Sequence, residues 1–206
     1  MTPKKRALKK LRPTTGTRHK NQVRIIAGDW RGRKLKFAAE PGLRPTTDRV
    51  RETIFNWLAP HLAASNCLDL FAGSGALGFE AASRGASKVM MVDHSRVVCQ
   101  ALENAVQSLG TDAVTVLNQQ ALTAISGYSG LPFDIVFVDP PYACDAVSSV
   151  CKALEQHALL NEKALIYVEQ SSDASKETIG PNWALLKELE AGQARGRLFR
   201  LSTTVD

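Results

Sequence analysis

The chain has 206 residues and 22.4 kDa, with 44% hydrophobic and 22% charged side chains, which suits one medium domain with a real core and excludes a multidomain machine, a collagen or coiled-coil fibre and a wholly disordered chain. Residues 113–133, the longest stretch without a charged side chain, include Asn118, Gln119 and Gln120 with two glycines and a proline, so no membrane span is expected. The net charge of +6 is uneven, because residues 1–51 hold 16 Lys plus Arg against only Asp29, Glu40 and Asp48, leaving 10 basic and 17 acidic residues in the remainder; a basic segment on an acidic body fits a polyanionic partner, nucleic acid first.

Residues 1–22 are basic and almost free of large apolar side chains, so they read as a disordered RNA-binding tail. Val23–Ala27 and Lys34–Phe37 flank Gly28-Asp29-Trp30-Arg31-Gly32-Arg33, the pattern of a β-hairpin with a cationic tip. Pro41-Gly42 and Pro45 keep the chain extended. Thr46-Thr47-Asp48 then predicts a helix cap. Val50, Ile54, Phe55, Trp57 and Leu58 share the buried face of that helix, Arg49, Arg51 and Glu52 lie elsewhere, and Pro60 stops it. This hairpin and helix form an N-terminal unit over 23–60.

From residue 61 to 206 strands alternate with helices. Strands are predicted at Cys67–Phe71, Lys88–Asp93, Ala113–Leu117, Phe133–Asp139 and Ala164–Glu169, with helices near 76–85, 95–109, 120–126 and 144–159. Trp183–Leu189 and Arg197–Thr203 read as a closing hairpin joined by residues 190–196. The fold class is therefore α/β, a mostly parallel doubly wound sheet ending in an antiparallel hairpin. Cys67, Cys99, Cys144 and Cys151 form no Cys-x-x-Cys pair, and no apolar leader with a cleavage site precedes them; reduced thiols in a cytoplasmic protein are expected. His19, His61, His94 and His157 are scattered and suggest no metal site.

The chemistry sits at strand ends. Asp69-Leu70-Phe71-Ala72-Gly73-Ser74-Gly75-Ala76-Leu77-Gly78 closes one strand and opens a helix with glycines at the G-x-G-x-x-G spacing. Such a turn brings backbone N–H groups close to a ligand. Glycines of this kind can also merely ease strand–helix packing. Asp93, 18 residues after Gly75 at the end of the next strand, adds a carboxylate able to accept both hydroxyls of a ribose. NAD and S-adenosylmethionine both present adenosine to such a site. Asp139-Pro140-Pro141-Tyr142 at the end of the fourth strand separates them: two prolines donate no hydrogen bond, leaving the Asp139 carboxylate and the Pro140 carbonyl as acceptors beside an aromatic ring. That suits a flat group with an exocyclic NH₂, its hydrogens on the acceptors and its face on Tyr142.

Together, Asp69–Gly78, Asp93 and Asp139–Tyr142 resemble the motifs of class I S-adenosylmethionine-dependent methyltransferases that act on amino groups. Val23–Gly28, Arg31-Gly32-Arg33-Lys34-Leu35, Arg44–Glu52 and Phe55-Asn56 are similar to the RsmD family, which methylates the N2 amino group of guanine 966 in bacterial 16S ribosomal RNA. The resemblance runs from Val23 to the C-terminus and implies a Rossmann-like methyltransferase fold. It places Asp69, Gly73 and Gly75 at the methionine end of S-adenosylmethionine, Asp93 at its ribose, and Asp139, Pro140 and Tyr142 at the target base. It also implies that the Arg44–Glu52 stretch, with Thr47, closes over the cofactor. Arg24, Arg31, Arg33, Lys34, Arg44 and Arg49 are the expected RNA contacts. Many class I enzymes carry a carboxylate for the adenine after the third strand; this chain has Asn118-Gln119-Gln120, and Gln120 is assigned that role.

The resemblance further implies S-adenosylhomocysteine as product, no metal, and 16S ribosomal RNA as partner, within a small subunit or an assembly intermediate, for a monomeric enzyme. Holding both amino hydrogens on Asp139 and the Pro140 carbonyl would stabilise charge developing on nitrogen during attack. Cys144 follows Ala143 rather than the prolines, which disfavours a covalent C5-pyrimidine mechanism. The competing readings are a methyltransferase for DNA adenine N6 or a protein glutamine, and a non-catalytic RNA-binding assembly factor.

Overall fold

A computed structural model describes residues 21–38, 40, 46–141, 146–173 and 179–202. Residues 1–20 of the basic tail, Arg44, Tyr142, Cys144 and the Pro41-Gly42 and Pro45 turns lie outside these residues, whereas Gln22, read as the last residue of the disordered tail, begins a strand.

A short antiparallel hairpin, β1 (Gln22–Arg24) with β2 (Lys34–Lys36), precedes helix α1 (Asp48–Leu62). The strand does not continue to Ala27: the Ile25 amide still bonds across the hairpin to the Arg33 carbonyl at 2.9 Å, but Ile26 and Ala27 donate to the Glu80 carboxylate at 2.8 and 3.0 Å. Thr47 caps α1 as expected, accepting from the Val50 amide. Two features of α1 depart from the sequence reading. Pro60 lies inside the helix, which runs on to Leu62; the bond it cannot donate falls in the last turn, where the exposed Asn56 carbonyl can turn to water. Arg51 is buried at 1% exposure, because ion pairs to Asp48 and Glu80 compensate the guanidinium inside the core.

The main sheet has seven strands: β3 (Asn66–Asp69), β4 (Lys88–Asp93), β5 (Val114–Asn118), β6 (Phe133–Val138), β7 (Leu160–Ser171), β8 (Trp183–Ala191) and β9 (Ala194–Leu201). Their order is β5-β4-β3-β6-β7-β9-β8, the first five parallel and the last two antiparallel. Crossovers run through α2 (Ala76–Ser83), α3 (Arg96–Leu109), α4 (Ala121–Gly127) and α5 (Val147–Gln156). This is the expected doubly wound, Rossmann-like sheet with a closing hairpin. The hairpin is tighter than read from sequence: β8 and β9 extend through residues 190–196 to a turn of Gly192 (φ +63°) and Gln193, with Ala191 opposite Ala194. Glycine supplies the positive φ that a two-residue hairpin loop requires.

Alternation along the strands divides the core into two layers. Cys67, Ile135, Phe137, Leu165, Tyr167 and Leu198 pack with α1, α2, α3 and the hairpin residues Val23, Ile25 and Leu35 on one face. Leu68, Val136, Val138, Ile166, Val168 and Phe199 pack with α4 and α5 on the other. The hairpin and α1 thus share the core of the sheet. Chain direction reverses its winding between β3 and β6, so the carboxyl ends of these neighbours bound the crevice where open α/β sheets bind ligands.

Candidate active site

The turn after β3 is a glycine loop tied down on both sides. Ala72 N–H bonds to the Val92 carbonyl at 3.0 Å, and Gly73 N–H to Asp93 Oδ2 at 3.0 Å. Gly73 and Gly75 have φ of +49° and +74°, and a Cβ on Gly75 would stand 2.5 Å from the Phe79 ring and 2.8 Å from Leu102. Conformation and packing both demand glycine there. Gly78 serves a different purpose: its Cβ would meet Met91 at 2.4 Å, so its absence lets α2 lie close on β4.

Asp69 closes β3 at 1% exposure. Its Oδ2 accepts from the Gly78 amide at 3.0 Å, while Oδ1 is buried without a hydrogen-bond partner among the described residues. Burial raises its pKa to about 7, against the Gly78 and Phe71 amides and with help from the Asp93 charge. An orphaned carboxylate oxygen beside a glycine loop is the acceptor a cationic or N–H-bearing ligand would satisfy.

Asp93 ends β4 with both oxygens engaged, Oδ2 by Gly73 and Oδ1 by the Ser95 amide at 2.9 Å. Each oxygen retains a second acceptor position, and the side chain stays 10% exposed, so two hydroxyls can still reach it. Asn118, at the end of β5, is occupied: its Nδ2 donates to the Asp93 and His94 carbonyls at 3.0 Å. Gln120 is exposed at the N-cap of α4, where its side chain makes no capping bond.

Asp139 follows β6 and is partly buried, Pro140 is buried and Pro141 exposed. Burial first, then the Glu169 and Asp69 charges, hold the Asp139 carboxyl well above the usual carboxylate range. Asp69, Asp93 and Asp139 therefore meet at the carboxyl ends of β3, β4 and β6, around the reversal point. Glu169 on β7 joins them. Sequence reasoning treats it only as the last residue of a strand and so misses it, although a carboxylate at a carboxyl strand end is the same signal that marks Asp93 and Asp139.

The cationic residues do not form one patch. Arg24 and Lys34 are register partners and line a groove with Gln22, Thr47, Asp48 and Arg51. Arg24 spans that groove to Asp48 Oδ2 at 2.8 Å. Arg33 turns away to the Ser108 carbonyl at 2.8 Å, in the last turn of α3. Arg31 and Arg49 are exposed. Thr47 is committed to the α1 cap. Sequence reasoning also misses Glu80, wholly buried on α2, which accepts the two hairpin amides and pairs with Arg84 at 2.7 Å and Arg51 at 3.6 Å. The hairpin amides it accepts lie 54 and 53 residues away in the chain, beyond any local pattern.

The chain is similar to several known proteins. A family model described as Conserved hypothetical protein 95 matches residues 23–200. The chain is 46% identical over 179 residues to ribosomal RNA small subunit methyltransferase D of Escherichia coli K12, covering 87% of this chain and 90% of that relative. It is 45% identical over 185 residues to the protein of the same name from Haemophilus influenzae, covering 88% and 95%. Among solved structures, a putative methyltransferase yhhF from Escherichia coli superposes with a TM-score of 0.82 at 42% identity, over 89% of this chain and 99% of that one. A putative SAM-dependent methyltransferase from Streptococcus mutans, at a TM-score of 0.66 and 16% identity over 88% of this chain and 56% of that one, shares the fold.

Proposed function

The chain belongs to the Conserved hypothetical protein 95 family, and on that premise we propose that it transfers a methyl group from S-adenosylmethionine to the N2 amino group of a guanine in 16S ribosomal RNA, guanine 966 being the target. The observation that carries this reading is the meeting of the glycine loop, Asp69 and Asp93 with Asp139 and Pro140 at one reversal point of the sheet. The ribosomal RNA named for the 46% identical relative supports the substrate.

The residues present fit the cofactor. The loop from Leu70 to Gly75 and the orphaned Asp69 Oδ1 would receive its methionine end, Asp93 its ribose hydroxyls, and Gln120 its adenine amino group. When bound, it supplies an electrophilic sulfonium methyl. What the protein contributes is aim and charge. The guanine amino lone pair is delocalised into the ring and becomes nucleophilic only as nitrogen turns pyramidal. Asp139 and the Pro140 carbonyl accept its two hydrogens, orient the lone pair and stabilise the positive charge that grows on nitrogen. Tyr142 would stack on the base. Arg24, Arg31, Lys34, Arg44 and Arg49, with the tail, hold phosphates and set register without reading sequence. The working unit in this reading is a monomer, and the setting is the cytoplasm, on a small subunit or an assembly intermediate.

Incubation with methyl-labelled S-adenosylmethionine and either free 16S RNA, small subunits, DNA or a glutamine-bearing protein tests the reading. Label confined to RNA supports it. Label in DNA or protein, or none in any arm, contradicts it.

A further inference from the structure

We infer that Glu169 is a positioning residue for the amino-group step, standing abreast of Asp139 so that Asp139 takes up the proton the guanine nitrogen must lose. The inference deepens the function proposed above and rests on it. β6 and β7 run parallel with Phe137 opposite Tyr167 and Val138 opposite Val168. The next positions in register are Asp139 and Glu169, on strands about 4.8 Å apart and, by the two-residue alternation, on the same face as Phe137 and Tyr167.

Glu169 is 6% exposed, and a carboxylate at that depth needs a donor. Tyr167, itself wholly buried, supplies one through Oη at 2.8 Å. The third strand makes room: Gly196 of β9 is the register partner of Glu169, and a Cβ there would come within 2.4 Å of the Tyr167 hydroxyl oxygen. Two neighbouring strands, β7 and β9, are thus shaped around one carboxylate, beside the carboxyl end of β6.

Charged groups approach this pair from every element packed around it. Asp69 faces it from β3 and Asp93 lies beyond on β4. From α1 and α2, packed on the same face, Arg51, Glu80 and Arg84 pair with one another. Arg195 and Arg197 of β9 are opposite Gln170 and Val168, on the other face. Of all these charges, that of Glu169 raises the proton affinity of Asp139 most, and Asp69 adds to it, so Asp139 becomes the stronger base. In the transfer, nitrogen forms a bond to the methyl carbon, the methyl's bond to sulfur breaks with its pair remaining on sulfur, and one N–H proton passes to Asp139 and then to water.

The test begins with the protein free of cofactor. Carboxyl-carbon NMR of ¹³C-labelled Asp and Glu side chains, assigned with Asp139→Asn, should show Asp139 titrating above the ordinary carboxylate range and falling by about one pH unit or more in Glu169→Gln. Single-turnover methylation by Glu169→Gln should slow at least about tenfold at its plateau, with the acid limb of its pH profile moved down by the same interval. A rate loss with the Asp139 titration and the acid limb unmoved overturns the inference and leaves a structural role for Glu169. Should Glu169→Gln not fold, the wild-type titration still decides: coupled two-step curves for both carboxyls support the pair, and independent single-step curves overturn it. A wild-type protein that methylates no guanine overturns the functional reading instead, which the titration does not.

Discussion

Asp93 Oδ2 accepts a 3.0 Å hydrogen bond from the Gly73 amide, so the residue assigned to the cofactor ribose also fixes the glycine loop assigned to its methionine end. One substitution should therefore disturb both. Asp93→Ala is expected to lower S-adenosylmethionine affinity roughly ten- to a hundredfold, the equivalent of about 1.5–3 kcal/mol for a missing charged hydrogen-bond partner. Titration calorimetry reads this directly, and unchanged affinity would remove Asp93 from the site.

Glu80 joins the hairpin to the helix that follows the glycine loop. Removing it leaves the Ile26 and Ala27 amides without their acceptor and the buried Arg51 without one of its two ion-pair partners. Glu80→Ala should destabilise the protein by about 2–3 kcal/mol, as expected for buried donors left without an acceptor, while Asp48 still pairs with Arg51 at 2.6 Å. Urea unfolding measures it; a loss below about 1 kcal/mol would show that the hairpin is held by its apolar packing alone.

Asp69 predicts a pH dependence with a definite sign. Its pKa is about 7 in the folded protein against an ordinary value of 3.8, so the folded state binds the proton more tightly. The resulting stabilisation is complete below pH about 4 and is lost as the pH rises through about 7. Unfolding midpoints of the cofactor-free protein should decline across that window, and less steeply in Asp69→Asn, which keeps an acceptor for Gly78. Asp139, shifted in the same direction, supplies the remaining slope. Parallel curves for wild type and Asp69→Asn would contradict the assignment.

What can be read from the sequence divides by range. Asp93 and Asp139 are visible because each ends a strongly apolar strand, and the glycine loop because its turn chemistry is local. Arg51 is misplaced because helical periodicity sets a charged residue outside the core, and its ion pairs to Asp48 and to Glu80, the latter on another helix, reverse that. Pro60 is overread as a stop, since a proline near a helix end forfeits a bond that water can replace. Glu169 needs the β6–β7 register, and the use of Thr47 as helix cap is settled only by the cap geometry itself.

The tail makes a prediction in salt. Deleting residues 1–20 should leave cofactor binding intact while weakening RNA binding and flattening its dependence on salt, by about 0.7–0.9 in log–log slope for each phosphate that the tail no longer neutralises. Fluorescence anisotropy across a salt series provides the slope. An unchanged slope would mean that the tail does not touch RNA.

The central claim is that Asp139 acts on an exocyclic amino group in the chemical step. The most direct measurement is single-turnover methylation of small-subunit RNA by wild type and Asp139→Ala, with mass spectrometry of the digested nucleosides. Wild type should yield N2-methylguanosine, and Asp139→Ala should slow the reaction roughly a hundredfold, about 3 kcal/mol in barrier, while binding the cofactor nearly as well. Near-normal turnover by Asp139→Ala, or a product methylated on a ring carbon or a ribose oxygen, would contradict the account.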